Sequence, residues 1–245
     1  MNRLLLLGCL LLGAPAFAGT LQVAPVRVDL SRGATSGIVA VRNNGEETVR
    51  LELEIFDWGQ DDLGKMDLKP SKELLLFPLM LELKPNEERN VRVGAPATAF
   101  GLVERTGRLI IQELPGAPKT AAASQVRVVS KLSIPVFLAP EKTLDELRIE
   151  SVSARAGKVK VRIAQAGNVS SRPQEVAVEA LDATGAPLSR ERWDGWYVLA
   201  GGARNYEWDL PKDFCTRVAS VRATVQLDGR ALTAQAPVQG GACAP

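Results

Sequence analysis

The sequence predicts an all-β protein built from two β-sandwich domains, and three observations support this fold class. Apolar and polar residues alternate in short runs, with the period of two that is typical of half-buried strands. Turn residues interrupt these runs about every ten residues, as in β-sandwiches. Helical periodicity is scarce throughout the 245 residues, and this length suits two modest domains.

Residues 1–18 have the organisation of an export signal. Arg3 supplies a positive charge, residues 4–12 are apolar, and Ala16-Phe17-Ala18 is a cleavage site of small residues. A lipoprotein signal ending at Cys9 is the alternative, but it would cut the apolar region in half. No later segment approaches the roughly twenty apolar residues of a membrane helix, so we expect an exported protein without membrane insertion.

The cysteines and the composition exclude several classes of function. Cys215 and Cys243 follow the signal in an exported chain, so a disulfide between them is expected. The chain contains no histidine, which removes the commonest general base and metal ligand. We therefore expect no enzymatic activity, no metal and no cofactor. The net charge of +2 gives no indication of a nucleic-acid surface.

The first strands each carry a recognisable pattern. In the run LQVAPVRVDL, the apolar parity changes at Ala24-Pro25, which predicts a kink that lets one strand pass between two sheets. Val49, Leu51, Leu53 and Ile55 then form one face of a half-buried strand. Alternation in residues 79–83, a turn at Lys84-Pro85-Asn86 and two further apolar positions in residues 91–93 predict a hairpin.

Residues 125–137 predict a strand about a dozen residues long, against a usual five or six. Its two faces differ in character. One face carries Val126, Val128, Leu132 and Ile134, and the other carries Arg127, Val129, Lys131 and Ser133. A long apolar strand at a sheet edge exposes unpaired backbone groups, so it is either an interior strand or an edge that serves to bind.

A polar hinge after Pro140 separates this strand from a second run of strands. We expect a first domain over residues 19–140 and a second over residues 141–245. Turns are predicted at residues 182–185 and at Asp228-Gly229. The predicted strands of the second domain centre on residues 159–163, 176–180, 206–210 and 221–227.

The order and spacing of several short motifs resemble the periplasmic chaperones of the chaperone–usher route of pilus assembly. The motifs lie in segments 24–28, 41–43, 55–60, 83–85, 90–93, 107–115 and 132–137. Trp58-Gly59-Gln60 and the last two segments look most like the archaic branch of that family. The resemblance covers essentially the whole mature first domain and, more loosely, the second.

The resemblance implies two immunoglobulin-like sandwiches in an L or boomerang arrangement. It further implies a periplasmic, non-enzymatic chaperone that completes pilin subunits with its last first-domain strand and passes them to an outer-membrane usher. The predicted subunit-binding side chains are those of Val126, Val128, Leu132 and Ile134. Self-association through this strand is expected for the free protein. The alternative is an exported structural or adhesive pilus-associated protein without chaperone activity.

The resemblance also implies a basic pair that binds the C-terminal carboxylate of the subunit. Arg27 stands where the family's first-strand arginine stands, but Pro135 occupies the position of the usual lysine. Arg108, in a Gly-Arg-Leu motif similar to the archaic Tyr-Arg-Leu, is the first candidate for the second cation. Lys131 is a weaker candidate, and Arg92 is weaker still. The alternative is that each is a solvated surface charge.

The four tryptophans are expected to pack in sandwich cores or at domain ends. They are Trp58, Trp193, Trp196 and Trp208. The alternative for residues 193–197 is an exposed aromatic platform for a carbohydrate.

Overall fold

The structure, a computed structural model, describes residues 21–115, 128–213 and 215–239, and its regular elements are strands and two short 3-10 helices. The first ten strands are β1 Leu21–Ala24, β2 Val28–Leu30, β3 Ser36–Asn43, β4 Val49–Gln60, β5 Met66–Pro70, β6 Leu75–Phe77, β7 Met80–Leu83, β8 Glu88–Gly94, β9 Arg105–Leu114 and β10 Lys131–Leu138. The 3-10 helices are Ala97–Ala99 and Cys215–Arg217. Within the described ranges, no helix is long and apolar enough to cross a bilayer.

The first ten strands form a sandwich of two sheets. One sheet has the order β1-β3-β8-β6, and the other has the order β2-β10-β9-β4-β5, with β7 paired to β4. The inner faces enclose an apolar core in which Leu51, Leu83, Val91, Leu109 and Ile111 are fully buried. The alternation predicted for β4 is confirmed, because Val49, Leu51 and Leu53 face this core.

The predicted kink in the first strand is confirmed. β1 pairs with β3 in the four-stranded sheet, whereas β2 pairs with β10 in the other sheet and runs parallel to it. Pro25 lies between the two strands, where it has no ladder hydrogen bond to donate. The chain therefore crosses from one sheet to the other at this point, and β2 covers only part of β10.

The predicted hairpin over residues 79–93 is wrong. β7 and β8 follow each other through a turn, in which the Glu87 N–H donates to the Lys84 carbonyl at 3.0 Å, but they belong to opposite sheets. β7 pairs with β4, and β8 pairs with β3 and β6. Alternation shows which side chains face the core, and both strands satisfy it without being partners.

The second domain contains the remaining seven strands. They are β11 Leu147–Arg155, β12 Lys158–Gln165, β13 Glu175–Leu181, β14 Pro187–Asp194, β15 Ala203–Asp209, β16 Ser220–Leu227 and β17 Arg230–Gln239. Their order along the sheet is β14-β13-β16-β17-β11-β12-β15, folded around a second apolar core. The turns predicted at residues 182–185 and at Asp228-Gly229 are confirmed by the β13–β14 and β16–β17 hairpins.

The two cores support an almost entirely β protein of two sandwiches, while the L or boomerang arrangement stays a prediction. Cys215 is buried and disulfide-bonded. Cys243 lies outside the described residues, so its pairing with Cys215 also stays a prediction. Residues 1–18 lie outside the described ranges as well.

The structure corrects the prediction for the last strand of the first domain. β10 has eight residues, and residues 128–130, although described, are not part of it. Ile134 is only 4% exposed and packs in the first core with Val136 and Leu138, while Leu132 is partly buried against that core. Val128 is 84% exposed, and Val126 lies outside the described residues. The apolar face thus turns inward at Ile134, because this half of the strand completes its own sandwich.

This division of the strand predicts that two charge substitutions differ strongly in their effect on the free energy of unfolding. Ile134→Glu places a carboxylate in the first core and is expected to lower the free energy of unfolding by at least about 3 kcal/mol. Val128→Glu is expected to change it by less than about 0.5 kcal/mol, because that side chain is exposed. Urea unfolding of both variants measures the difference. Equal stabilities would contradict the assignment of Ile134 to the core.

Candidate functional site

Half of β10 has a free edge among the described residues. β9 pairs with the strand along its whole length, from Lys131 opposite Gln112 to Leu138 opposite Arg105. On the other side, β2 pairs only with Val136, Phe137 and Leu138. Residues 131–135 therefore present one edge with no strand beside it in the part of the chain that the structure describes, and such an edge can accept a further strand.

A cluster of aromatic side chains lies where the two domains meet. Trp58 on β4 and Phe137 on β10 come from the first domain, and Trp196 and Tyr197 come from the loop between β14 and β15. The ring centroid of Tyr197 is 5.5 Å from that of Trp58, 5.3 Å from that of Phe137 and 5.8 Å from that of Trp196. We call these four residues the junction cluster.

Arg108 on β9 extends into the junction cluster. Its guanidinium carbon lies 3.8 Å from the ring centroid of Trp58 and 5.4 Å from that of Trp196, within the range of cation–π contacts. The residue is 3% exposed, and its Nε and Nη2 atoms are buried without a hydrogen-bond acceptor among the described residues. Burial lowers the pKa of Arg108 to about 10, so the side chain is a cation at neutral pH.

The position of Arg108 accounts for the proline at the neighbouring site. Across the β9–β10 ladder, Arg108 lies directly opposite Pro135, which is where the resemblance places a lysine. Arg108 on β9 therefore lies at the level of the sheet where the resemblance expects a cation on β10. Arg108 is also opposite Phe56 on β4, which places it in a central strand of the sheet, between two neighbours.

Arg27 reaches the junction cluster from the segment between β1 and β2. Its guanidinium carbon lies 4.1 Å from the ring centroid of Phe137, and its Nη2 forms an ion pair with Asp29 Oδ1 at 2.7 Å. Partial burial acts to lower the pKa of Arg27, but Asp29 and Tyr197 raise it on balance. Unlike Arg108, this arginine already has a carboxylate partner and is half-exposed.

The structure does not bring the other two candidate cations to this site. Lys131 is exposed at the opposite end of β10 from the cluster, opposite Gln112. Arg92 lies on β8 in the other sheet, where its Nη1 donates to Ser36 Oγ at 3.2 Å. Of the predicted cations, Arg27 and Arg108 therefore contact the junction cluster, and Lys131 and Arg92 do not.

Further contacts across the junction fix the two domains beside the cluster. The Glu104 N–H donates to the Asn168 carbonyl at 2.8 Å, and the Ser170 N–H donates to Glu104 Oε1 at 2.9 Å. Burial raises the pKa of Glu104, although the hydrogen bonds from Ser170 oppose this shift. At a second point, Arg162 Nη1 pairs with Asp62 Oδ2 at 2.6 Å.

Sequence reasoning missed the partners of the arginines. Trp58 and Trp196 lie at a domain end, as expected, but no alternation indicated that Tyr197 would contact both Trp58 and Phe137. Tyr197 is 5% exposed, so its ring does not contribute to the carbohydrate platform considered for residues 193–197, whereas Trp193 and Trp196 are only partly buried. The clustering of aromatic residues at 193, 196 and 197 was the only available signal.

The first domain matches a known family. The sequence profile described as "Pili and flagellar-assembly chaperone, PapD N-terminal domain" matches residues 20–144. This segment contains Arg27 and Arg108, the two arginines that contact the junction cluster, and the whole of β10. No curated protein matches the chain.

Solved structures share the fold of nearly the entire chain. A chain of the CsuC–CsuE chaperone–tip subunit complex, from archaic chaperone–usher pili of Acinetobacter baumannii, matches with a TM-score of 0.60 and 17% identity, covering 90% of this chain and 100% of that one. The YadV chaperone matches at 0.59 and 12%, covering 89% and 100%. A chain of the Salmonella enterica SafA pilin–SafB chaperone complex matches at 0.57 and 13%, covering 91% and 98%.

The unpaired guanidinium predicts an unusual effect on stability. Arg108→Met removes a buried cation that has no acceptor, so we expect the free energy of unfolding at pH 7 to rise by about 1–3 kcal/mol. Because the folded-state pKa of about 10 is below that of the unfolded chain, the unfolded chain binds more protons above pH 10. The contribution of Arg108 to the free energy of unfolding of the wild-type chain therefore increases above pH 10. The difference in stability between Arg108→Met and the wild type becomes smaller in that range. Urea unfolding at pH 7 and above pH 10 tests both parts, and a less stable variant at pH 7 would contradict them.

Proposed function

The chain belongs to the family of pili and flagellar-assembly chaperones, and from this premise we propose that it captures pilus subunits by donor-strand complementation with β10 and the residues before it. A pilin is a sandwich that lacks its last strand. Addition of a strand from the chaperone covers its open core, which is the established mode for chaperone–pilin pairs.

The apolar side chains that serve the subunit come from the start of this segment. Val128 is exposed and Leu132 is partly buried, and Val126 shares their parity in the sequence. Each aliphatic side chain contributes about 1.5–3 kcal/mol when it is fully buried. Ile134, Val136 and Leu138 continue the same face inside the chaperone's own core. The proposed contact therefore joins the apolar core of the subunit to the apolar core of the chaperone's first domain.

The observation that carries the proposal is Arg108 on β9, opposite Pro135, at the level where the free edge of β10 ends. Two of its buried nitrogens have no acceptor, and a subunit's C-terminal carboxylate has two oxygens in a geometry that matches the guanidinium fork. Because Arg108 is opposite Pro135, a carboxylate bound there lies at the end of the free edge. The anchor then sets the register of the added strand, with Arg27 as the second cation.

The family and the solved complexes support the remaining parts of the proposal. The CsuC–CsuE and SafA–SafB structures are complexes of a chaperone with a pilus subunit. We propose a pilin or tip subunit as the partner of this chain, and an outer-membrane usher as the recipient of the complex. The proposed location is the periplasm, reached through the signal in residues 1–18. Chaperones of this family act without enzymatic chemistry, and the free protein is proposed to cover its edge by self-association.

The competing function is that of an exported structural or adhesive protein with the same two sandwiches. Such a protein would have no use for a buried cation without an acceptor, because this arrangement lowers the stability of the free chain. The two functions also differ in how the chain is recovered from the periplasm. A chaperone co-purifies with a small subunit in a fixed ratio, and mass spectrometry of the purified protein identifies it.

Val128→Glu is expected to abolish this co-purification without unfolding the chain. The substitution places a charge on a side chain that the subunit core must bury, and such burial costs several kcal/mol. Leu102→Glu is the matched control, because Leu102 is an equally exposed apolar residue, 89% accessible, outside the strand. Stoichiometric subunit in the Val128→Glu preparation would refute donor-strand capture.

Arg108→Met is expected to lose the subunit although the free variant folds. An isolated buried carboxylate opposite methionine would cost about 3–5 kcal/mol, so capture should fall by at least a hundredfold, which is about 2.7 kcal/mol. Lys131→Met is the control, because Lys131 does not reach the junction cluster. Subunit recovery, measured by the band ratio after purification, distinguishes the two variants. Equal recovery from both would mean that Arg108 is not the anchor.

A further inference from the structure

We propose that Tyr197, in the second domain, is a positioning residue that holds Arg108 and Arg27 at the spacing needed for one carboxylate. The inference rests on the proposed function, because it concerns the same anchor. It adds a role for the second domain, in which the anchor is complete only when the loop between β14 and β15 is seated against the first sandwich.

The ring of Tyr197 contacts both of the aromatic rings against which the two guanidinium groups lie. Arg108 lies 3.8 Å from the ring centroid of Trp58, and the Tyr197 ring meets Trp58 edge-on, at 89° and 5.5 Å. Arg27 lies 4.1 Å from the ring centroid of Phe137, and the Tyr197 ring meets Phe137 at 42° and 5.3 Å. Each arginine therefore rests on a ring that Tyr197 supports.

This support matters because the two rings belong to different strands. Trp58 is on β4 and Phe137 is on β10, with β9 and Arg108 between them, and their centroids are 6.2 Å apart. One carboxylate can be bound by both guanidinium groups only if packing fixes the positions of both side chains before the ligand arrives. Tyr197 is 5% exposed and occupies the junction beside both rings.

The loop that carries Tyr197 is itself firmly held. Val198 and Ser171 exchange backbone hydrogen bonds of 2.8 and 3.0 Å, and the Gly195 N–H donates to the Gln174 carbonyl at 2.8 Å. A Cβ at Gly195 would lie 1.9 Å from the carbonyl oxygen of Pro173, so the two loops approach as closely as only glycine allows. Tyr197 is thus a fixed part of the second domain.

The position of Phe137 relates this support to strand addition. Phe137 lies on β10, two residues beyond Pro135 and the end of the free edge. A shift of its ring would change the place of Arg27 relative to that edge. Tyr197 therefore influences the distance between the bound carboxylate and the first subunit residue that pairs with the free edge of β10.

The experiment compares two peptides as probes of the anchor. One is a short synthetic peptide of alternating valine and threonine with a free C-terminal carboxylate, and the other is its C-terminal amide. Hydrogen bonds to a charged acceptor should favour the carboxylate by about ten- to hundredfold on the wild-type chain. Isothermal titration calorimetry gives both dissociation constants and their ratio.

Tyr197→Leu is expected to reduce that ratio to less than about threefold, because the cations lose their common support. Tyr197→Phe keeps the ring but removes the hydroxyl that also interacts with Arg27, so it is expected to retain most of the wild-type ratio. Tyr206→Leu is the matched control, because Tyr206 is equally buried, 5% exposed, but packs against Trp193 in the second core. It is expected to lower stability while the carboxylate preference stays unchanged.

The outcomes separate this inference from the proposed function. A wild-type chain that binds both peptides equally would overturn the carboxylate anchor, and the role of Tyr197 with it. A wild-type preference that persists in Tyr197→Leu would overturn only the positioning role. Loss of the preference in Tyr206→Leu would also overturn it, because general destabilisation would then explain the effect.

Discussion

The buried guanidinium of Arg108 is the constraint on which the functional half of this structure depends. It sits in the middle of a sheet, on the face of Trp58, with two nitrogens that have no acceptor. A contact with an aromatic face offsets about 2 kcal/mol of the desolvation of a cation, less than full burial costs. The free chain therefore leaves a desolvated cation at this point, and in the proposed mechanism an anion with two oxygens binds there.

The strand β10 also has a part that is not covered by the described residues, in this case a backbone edge and an apolar side chain. Its last three residues pair on both sides, and Val136 and Leu138 among them fill the first core together with Ile134, which precedes them on the strand. In the part of the chain that the structure describes, its first half pairs on one side only, and the apolar side chain of Val128 before it is exposed. β2 starts only at Val28, after the crossing at Pro25, and this late start leaves the edge open among the described residues. One strand thus belongs to its own sandwich and remains available to another.

Sequence reasoning predicted those parts of the fold that depend on local pattern. The face of Leu51 and the crossing at Pro25 follow from side-chain parity and from the missing proline N–H, which are properties of single strands. The partner of β7 depends on the opposite sheet, and alternation does not encode it. Ile134 was assigned to the binding face because parity does not indicate where along a strand one core ends. The resemblance indicates Arg108. Tyr197, in contrast, lies in a loop sixty positions after the last first-domain motif, without periodicity to indicate its contacts.

The desolvated cation and the uncovered edge of β10 also explain why the second domain is needed. A lone first sandwich could present an apolar edge, but Trp58, Phe137 and Arg108 would then face water, which would solvate the guanidinium and weaken its selectivity for a carboxylate. The loop bearing Trp196 and Tyr197 covers these groups and keeps the cation in a medium where charge pairing is strong. Apolar strand addition is tolerant of register, since a shift by two residues keeps the same face. In the proposed mechanism, a carboxylate held at one fixed point removes that freedom, and the second domain contributes the burial that makes this point selective.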